Sequence, residues 1–355
     1  MSANPWKPTD RQHIFSNLLE PINDSSAWTR EELEVSRSYL YLLSTAEISE
    51  IFDIVERIER DSPNLNEVTK EDFNLPILGS VLADLRQETI NGRGFVFLRG
   101  LPTEGRSLYQ TALAFWGLGC HFGRAVSQNG KGHLLGHVKD LGEKITSPTG
   151  RGYNSASQLG FHADSCDIFS LCALKISKSG GQHRMCSSVT VHNKMLERSP
   201  KLVEELAFRF YRSRRGELPA DEAEPWTRQP VFSVTDGYFS ARGASSTIIR
   251  SQEMPGVPAL TDEQREAIKV YNEIASEIAM DVSFEPGDIS VVQNYVNLHS
   301  RTSYEDWPEE DRKRHLLRLW LSFDGARPLH EDIIRDHAQG IQEKGTVLHA
   351  PLVAA

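Results

Sequence analysis

Cysteine is scarce. Cys120, Cys166, Cys172 and Cys186 are the four among 355 residues, and they form no C-x-x-C pair. That excludes a disulfide framework and makes a cysteine-built zinc site a poor fit. The expectation is a reducing, cytoplasmic setting in which the thiols act as small buried hydrophobes. Basic charge is also short: 39 Lys and Arg against 49 Asp and Glu give a formal net charge of -10. A protein that neutralises nucleic-acid phosphates usually carries the opposite balance, so no nucleic-acid partner is expected. No run reaches the roughly 18 consecutive apolar residues of a membrane span, so no membrane partner is expected either. The opening MSANPWKPTDRQH lacks the apolar stretch of a secretory leader. Internal repeats and low-complexity linkers are missing as well.

What is present is an ordinary globular composition, 39% hydrophobic and 25% charged, with a mean hydropathy of -0.41. The expected layout is a single domain over 1–355, with a mostly helical part at 1–90, a core at 91–325 and a polar surface tail at 326–355. Ile48, Ile51, Phe52, Val55 and Ile58 recur at helical spacing. A second helix surrounds Val81, Leu82 and Leu85, and a third covers 106–118. Phe95–Leu98 is a short apolar run between glycines and reads as a buried strand. Further strands are expected at 133–138, 167–176, 185–192 and 231–234, the last ending in the Asp236-Gly237 hairpin signal. Thr261 and Gln264 form a capping box that opens a helix reaching about 280. FEPGDISVVQNY and RHLLRLWLSF supply two more strands. The class is α+β with a mainly β core, a jelly roll flanked by helices.

Three patterns carry chemistry. In Phe161-His162-Ala163-Asp164, strand alternation would put the imidazole and the carboxylate on one face, where they could take adjacent positions on a metal. The plain alternative is a hydrogen-bonded surface histidine. A second H-x-D, His330-Glu331-Asp332, lies in the polar tail and reads as solvated surface. His299, in NYVNLHSRTSYED, follows the Ile289–Gln293 strand. A jelly roll can bring it beside the first pair, completing a two-histidine, one-carboxylate face that suits non-heme Fe(II); a capping or core histidine is the alternative. In RHLLRLWLSF, Arg314 and Arg318 share a strand face. Two guanidiniums facing a barrel interior need carboxylate partners; an exposed edge strand would leave both in water.

FHADSCD, SGGQHRMCSSVTVHN, FEPGDISVVQNY, LHSRTSYEDWPE and RKRHLLRLWL together resemble the TauD/TfdA group of Fe(II)- and 2-oxoglutarate-dependent dioxygenases, from about 92 to about 323. The resemblance implies a double-stranded β-helix with helical additions. It implies iron ligands at His162, Asp164 and His299, and a grip on the distal carboxylate of 2-oxoglutarate at Arg314. It implies a substrate acid contact at Arg318, and Gln158, just before the first ligand, is a candidate pocket residue. The retained Asp164 argues against a halogenase. Many relatives place Thr or Ser after the Gly180-Gly181 pair, whereas His183 stands here; His183, Ser187 or Ser188 could supply that contact, or it is lost. The implied reaction uses Fe(II), 2-oxoglutarate and O2 to hydroxylate an unactivated C–H bond of a small molecule, most simply a carboxylate or amino acid, releasing succinate and CO2. Desaturation or cyclisation in natural-product biosynthesis is the alternative outcome. A non-redox cupin-like metal protein, a zinc hydrolase or isomerase, and an inactive interaction module are the rivals. A homodimer is the default oligomer.

Overall fold

The computed structural model describes residues 18–143, 152–218, 223–323, 327–337, 340–343 and 345–354. The leader-like question at 1–13 therefore lies outside the described residues. The described residues open with α1 (Arg30–Ser36), β1 (Leu40–Leu42), α2 (Thr45–Glu59) and α3 (Gly79–Asn91). Ser44 and Glu47 close a capping box on α2, and Ile51, Phe52 and Val55 form its buried stripe. β2 (Phe95–Arg99) and α4 (Leu108–Cys120) follow. Then come β3 (Arg124–Ala125), β4 (Ser127–Gln128), β5 (Leu135–Val138), β6 (Leu159–His162), β7 (Ile168–Lys175) and β8 (Ser179–Gly180).

β9 (His183–Ser187) is followed directly by α5 (Ser188–Arg198). The expected strand at 185–192 is thus half strand and half helix. Ser187 accepts the Thr190 N–H at 2.9 Å and starts the helix. The β-branched Val189, Thr190 and Val191 stay helical because their burial outweighs a weak propensity. α6 (Pro200–Leu206), β10 (Phe210–Ser213), β11 (Trp226–Gln229), β12 (Phe232–Thr235) and β13 (Tyr238–Ala241) come next. Asp236 and Gly237 both have positive φ, 48° and 81°, the turn that the Asp-Gly pair anticipated. α7 (Ser246–Ser251) and α8 (Asp262–Ile278) precede β14 (Met280–Val282), β15 (Ile289–Gln293), β16 (Asn297–Arg301), β17 (Tyr304–Glu305) and β18 (His315–Ser322). α9 (Glu331–His337) and β19 (Gly340–Ile341) close the chain.

A large sheet, in the order β1-β2-β15-β7-β18-β3 with β5 also on β18, faces a small sheet in the order β14-β9-β16-β6. Phe95, Phe97, Phe169, Leu171, Met185, Met280, Val292, Leu316 and Trp320 fill the space between them. The outer face of the large sheet is covered by α2, α3 and α4, and that of the small sheet by α5, α6 and α8. This is a double-stranded β-helix wrapped by helices, and it leaves one end of the barrel for chemistry.

The described part of the tail runs along the surface as expected, mostly exposed or half-buried, but it is docked there rather than loose. β19 pairs in parallel with β4. His349 donates to the Gly132 carbonyl and accepts from the Leu134 N–H, and Ala350 and Leu352 pack on the core. His137 Nε2 lies 2.9 Å from the Pro351 carbonyl and Nδ1 lies 2.8 Å from His315 Nε2. Such a pair needs at least one neutral ring to accept. Burial depresses His137, and takes His315 and His133 down to about 4. His121 and His192 are depressed for the same reason. Folded rings refuse protons that the unfolded chain accepts, so this stability is present above about pH 6.5 and is lost on acidification. The urea midpoint of the metal-free protein should fall between about pH 7 and about pH 5, before carboxylates titrate. A flat midpoint across that window would refute the account.

Candidate active site

The centre is built from register. β6 and β16 run antiparallel with His162 opposite His299, so both imidazoles leave the same face of the small sheet. Their ring centroids are 4.1 Å apart. His162 Nδ1 lies 2.9 Å from the Gly160 carbonyl; donating there keeps a lone pair on Nε2. That Nε2 is 4.0 Å from Asp164 Oδ1, and His299 Nε2 is 4.0 Å from Asp164 Oδ2. His299 also stacks on Phe169, with 4.0 Å between centroids. Burial pushes both imidazoles below their ordinary value, toward the neutral form that ligates metals. Among the described residues, His162, Asp164 and His299 are the one His/Cys/Asp/Glu group whose ligand atoms lie within 4.8 Å of one another. Two nitrogens and one carboxylate on one side fit Fe(II) with open positions opposite.

Asp164 differs from the expected strand position, because β6 ends at His162. Three other elements hold it. Its N–H donates to Asn294 Oδ1 at 2.9 Å, its carbonyl accepts from Arg242 Nη1 at 2.8 Å, and its Oδ2 accepts from Trp320 Nε1 at 3.0 Å. His299 lies in a strand of its own, β16, that the hydropathy pattern did not mark.

Arg314 and Arg318 are both buried. Arg318 projects from β18 to within 3.7 Å of Asp164 Oδ2 through Nη1. Its Nε donates to Gln128 Oε1 at 2.6 Å, and its guanidinium lies over Tyr153, 4.4 Å from the ring centroid. Arg314 just precedes β18, and its Nη1 has no hydrogen-bond partner. Its guanidinium sits 5.1 Å from the Tyr304 ring centroid, and burial pulls its pKa below the usual value. Gly181, at φ +74°, makes room: a Cβ there would stand 3.4 Å from Arg314 Nε and 2.7 Å from Ser177 Oγ.

Gln158 is exposed ahead of β6. The pairing slips between His162 and Leu159, so strand alternation does not carry from the ligand back to it. His330 stays apart from the triad: its Nδ1 accepts the Asp332 N–H at 3.3 Å at the start of α9. Ser187 Oγ donates to the Ser26 carbonyl, and Ser188 Oγ to that of Tyr295. Sequence reasoning missed Trp320, Asn294, Arg242, Gln128, Arg301 and Tyr304. Trp320 carried a signal, since it alternates in phase with Arg314 and Arg318. Asn294 and Arg242 carried none, because their contacts join segments far apart in the chain.

The family model described as taurine catabolism dioxygenase TauD, TfdA family, matches residues 60–320. The chain belongs to the TauD/TfdA family. It is 31% identical over 319 residues to FR-33289 synthase of Streptomyces rubellomurinus (strain ATCC 31215), covering 87% of this chain and 93% of that protein. It is 27% identical to the taurine hydroxylase-like protein SAT17 of Stachybotrys chartarum, covering 87% and 81%. An asparagine oxygenase solved with Fe(II), 2S,3S-3-hydroxyasparagine and succinate shares the fold with a TM-score of 0.62 at 18% identity, covering 80% of this chain and 93% of that one. The non-heme iron oxygenase OrfP with Fe and alpha-ketoglutaric acid superposes with a TM-score of 0.59 at 16% identity, covering 85% and 99%. Like other TauD/TfdA members, the chain is an Fe(II)/2-oxoglutarate-dependent dioxygenase, and the non-redox and zinc-hydrolase rivals are set aside.

Proposed function

We propose that this dioxygenase hydroxylates an unactivated C–H bond of a small carboxylate or amino acid. The observation that carries the substrate class is Arg318, a buried guanidinium 3.7 Å from the Asp164 carboxylate. A cation so close to a metal site calls for an anionic group on the substrate. Its Nε is held by Gln128 and its face by Tyr153, so its position is set before substrate arrives. FR-33289 synthase and the asparagine oxygenase solved with a hydroxylated amino acid support this reading by similarity.

In this proposal His162, Asp164 and His299 hold the iron, and Arg314 anchors the distal carboxylate of 2-oxoglutarate. Bound there, Fe(II) and 2-oxoglutarate supply the activation of O2 that the side chains cannot perform. The chain's own work is positional. Trp320, Asn294 and Arg242 hold Asp164 in place, Phe169 fixes the His299 ring, and the aromatic barrel interior keeps water away. Gln158 borders the approach to His162. The proposal includes a cytoplasmic, single-domain enzyme over 1–355; its free cysteines support that compartment. Dimerisation is the default for a soluble oligomer, and light scattering would read it.

The first test needs no substrate. Fe(II) and 2-oxoglutarate added to the metal-free protein without oxygen should give the weak visible charge-transfer band of a chelated oxo-acid. Iron binding without a band would overturn the co-substrate assignment. With the band in hand, amino acids and small carboxylates are screened by succinate release. A product that gains one oxygen supports hydroxylation, whereas loss of two hydrogens supports desaturation or cyclisation.

A further inference from the structure

His183 is 4% exposed, and its Nε2 has no hydrogen-bond partner. Leaving a buried polar nitrogen unpaired is unfavourable by about 1–3 kcal/mol, so the ring calls for a partner. Register shows where it points. His183 stands opposite Arg301 across β9 and β16, and His299 lies two residues along β16. All three side chains therefore leave the same face, into the barrel. The His183 and His299 ring centroids are 5.8 Å apart, and His183 is outside the group of metal-ligand atoms. Phe97, Phe169 and Phe284 surround the ring. Arg314 is the charged group that bears most on it.

The neighbouring guanidiniums can only donate. Arg314 Nη1 and Arg301 Nε and Nη1 also lack partners. Arg301 Nη2 is already used, donating to the Ser155 and Ser157 carbonyls. Tyr304 lies beneath both guanidiniums, at 4.8 and 5.1 Å. Asp306, the near carboxylate, accepts the backbone N–H of Arg314 rather than its side chain. The two serines that could have substituted for a missing hydroxyl are committed to Ser26 and Tyr295.

We propose that His183 donates its Nε2–H to the distal carboxylate of 2-oxoglutarate, beside Arg314 and opposite Arg301. It takes the place of the Thr or Ser hydroxyl that the family resemblance implies after Gly180-Gly181. A neutral imidazole has one N–H to give, and the cationic guanidiniums beside it favour that form over a third positive charge. The inference rests on Arg314 anchoring the same carboxylate.

The test follows the anaerobic charge-transfer band as 2-oxoglutarate is added to the Fe(II) protein. His183→Phe keeps the aromatic packing and removes the donor. It should weaken 2-oxoglutarate roughly 10- to 100-fold, with Fe(II) affinity unchanged. His183→Gln, which keeps a donor, should recover most of the loss. Binding of 2-oxobutyrate, which lacks the distal carboxylate, should not respond to either change. Overturning results are 2-oxoglutarate affinity in His183→Phe equal to wild type, an equal loss for 2-oxobutyrate, or lost Fe(II) affinity, which would make His183 a metal ligand. If the wild-type protein gives no band, the enclosing co-substrate assignment fails instead. Should His183→Phe not fold, the wild-type His183 imidazole resonance is followed with Zn(II) in place of iron. A shift of its N–H on adding 2-oxoglutarate supports the contact, and an unmoved signal overturns it.

Discussion

Asp164→Ala should abolish iron-dependent turnover. The carboxylate is the only anionic member of the triad, and both of its oxygens are in use. Oδ1 faces His162, while Oδ2 faces His299 and accepts from Trp320. Its removal leaves two neutral imidazoles, which hold a hard divalent ion poorly. Loss of a supporting partner typically costs roughly 10- to 100-fold in metal affinity or activity. The Asp164→Ala loss should exceed that range, whereas Trp320→Phe should fall within it. The measurements are Fe(II) affinity under anaerobic conditions and succinate release in air. Unchanged turnover in Asp164→Ala would remove the triad from the chemistry, along with every role assigned to its neighbours.

Arg314→Ala should raise the 2-oxoglutarate requirement by orders of magnitude while leaving Fe(II) binding intact. Removing one partner of a buried charge pair costs about 2–5 kcal/mol. At about 1.4 kcal/mol per decade, that corresponds to about 30-fold to several thousand-fold in apparent affinity. The burial of Arg314, with Nη1 unpaired, puts this contact out of reach of solvent screening. A titration of the anaerobic band reads the effect directly. Arg318→Ala is the counterpart and should leave that titration nearly unchanged while weakening the primary substrate. The opposite pattern would mean that the two arginines have exchanged roles.

Local signals were legible wherever a residue's role depends on its near neighbours in the chain. The capping boxes at Ser44 and Thr261 and the Asp236-Gly237 turn are settled by side chains within a few residues of the backbone they serve. The β18 alternation is equally local, and it put Arg314 and Arg318 on one face, where both are buried. The cluster of His162, Asp164 and His299 was legible as a pattern of residue types, and the roles proposed for it rest on the family resemblance. The same local reasoning failed at 185–192, where β-branched residues suggested a strand. Packing against α6 and α8 buries them as a helix instead.

The sequence by itself determined the types of the candidate ligands, their order along the chain, the paired arginines and the period-two pattern of the strand beside them. Only the tertiary structure decided that Asp164 lies beyond its strand, held by Trp320, Asn294 and Arg242. It also decided that Arg301 joins Arg314, that the buried His183 Nε2 is left without a partner, and that the tail docks on β4 through a parallel strand pair. The physical reason is common to all of these. Hydrogen bonds and ring contacts between residues more than a hundred positions apart depend on which strands pair and in what register. One residue of slip, as at the β6 irregularity, changes the face on which every later side chain appears.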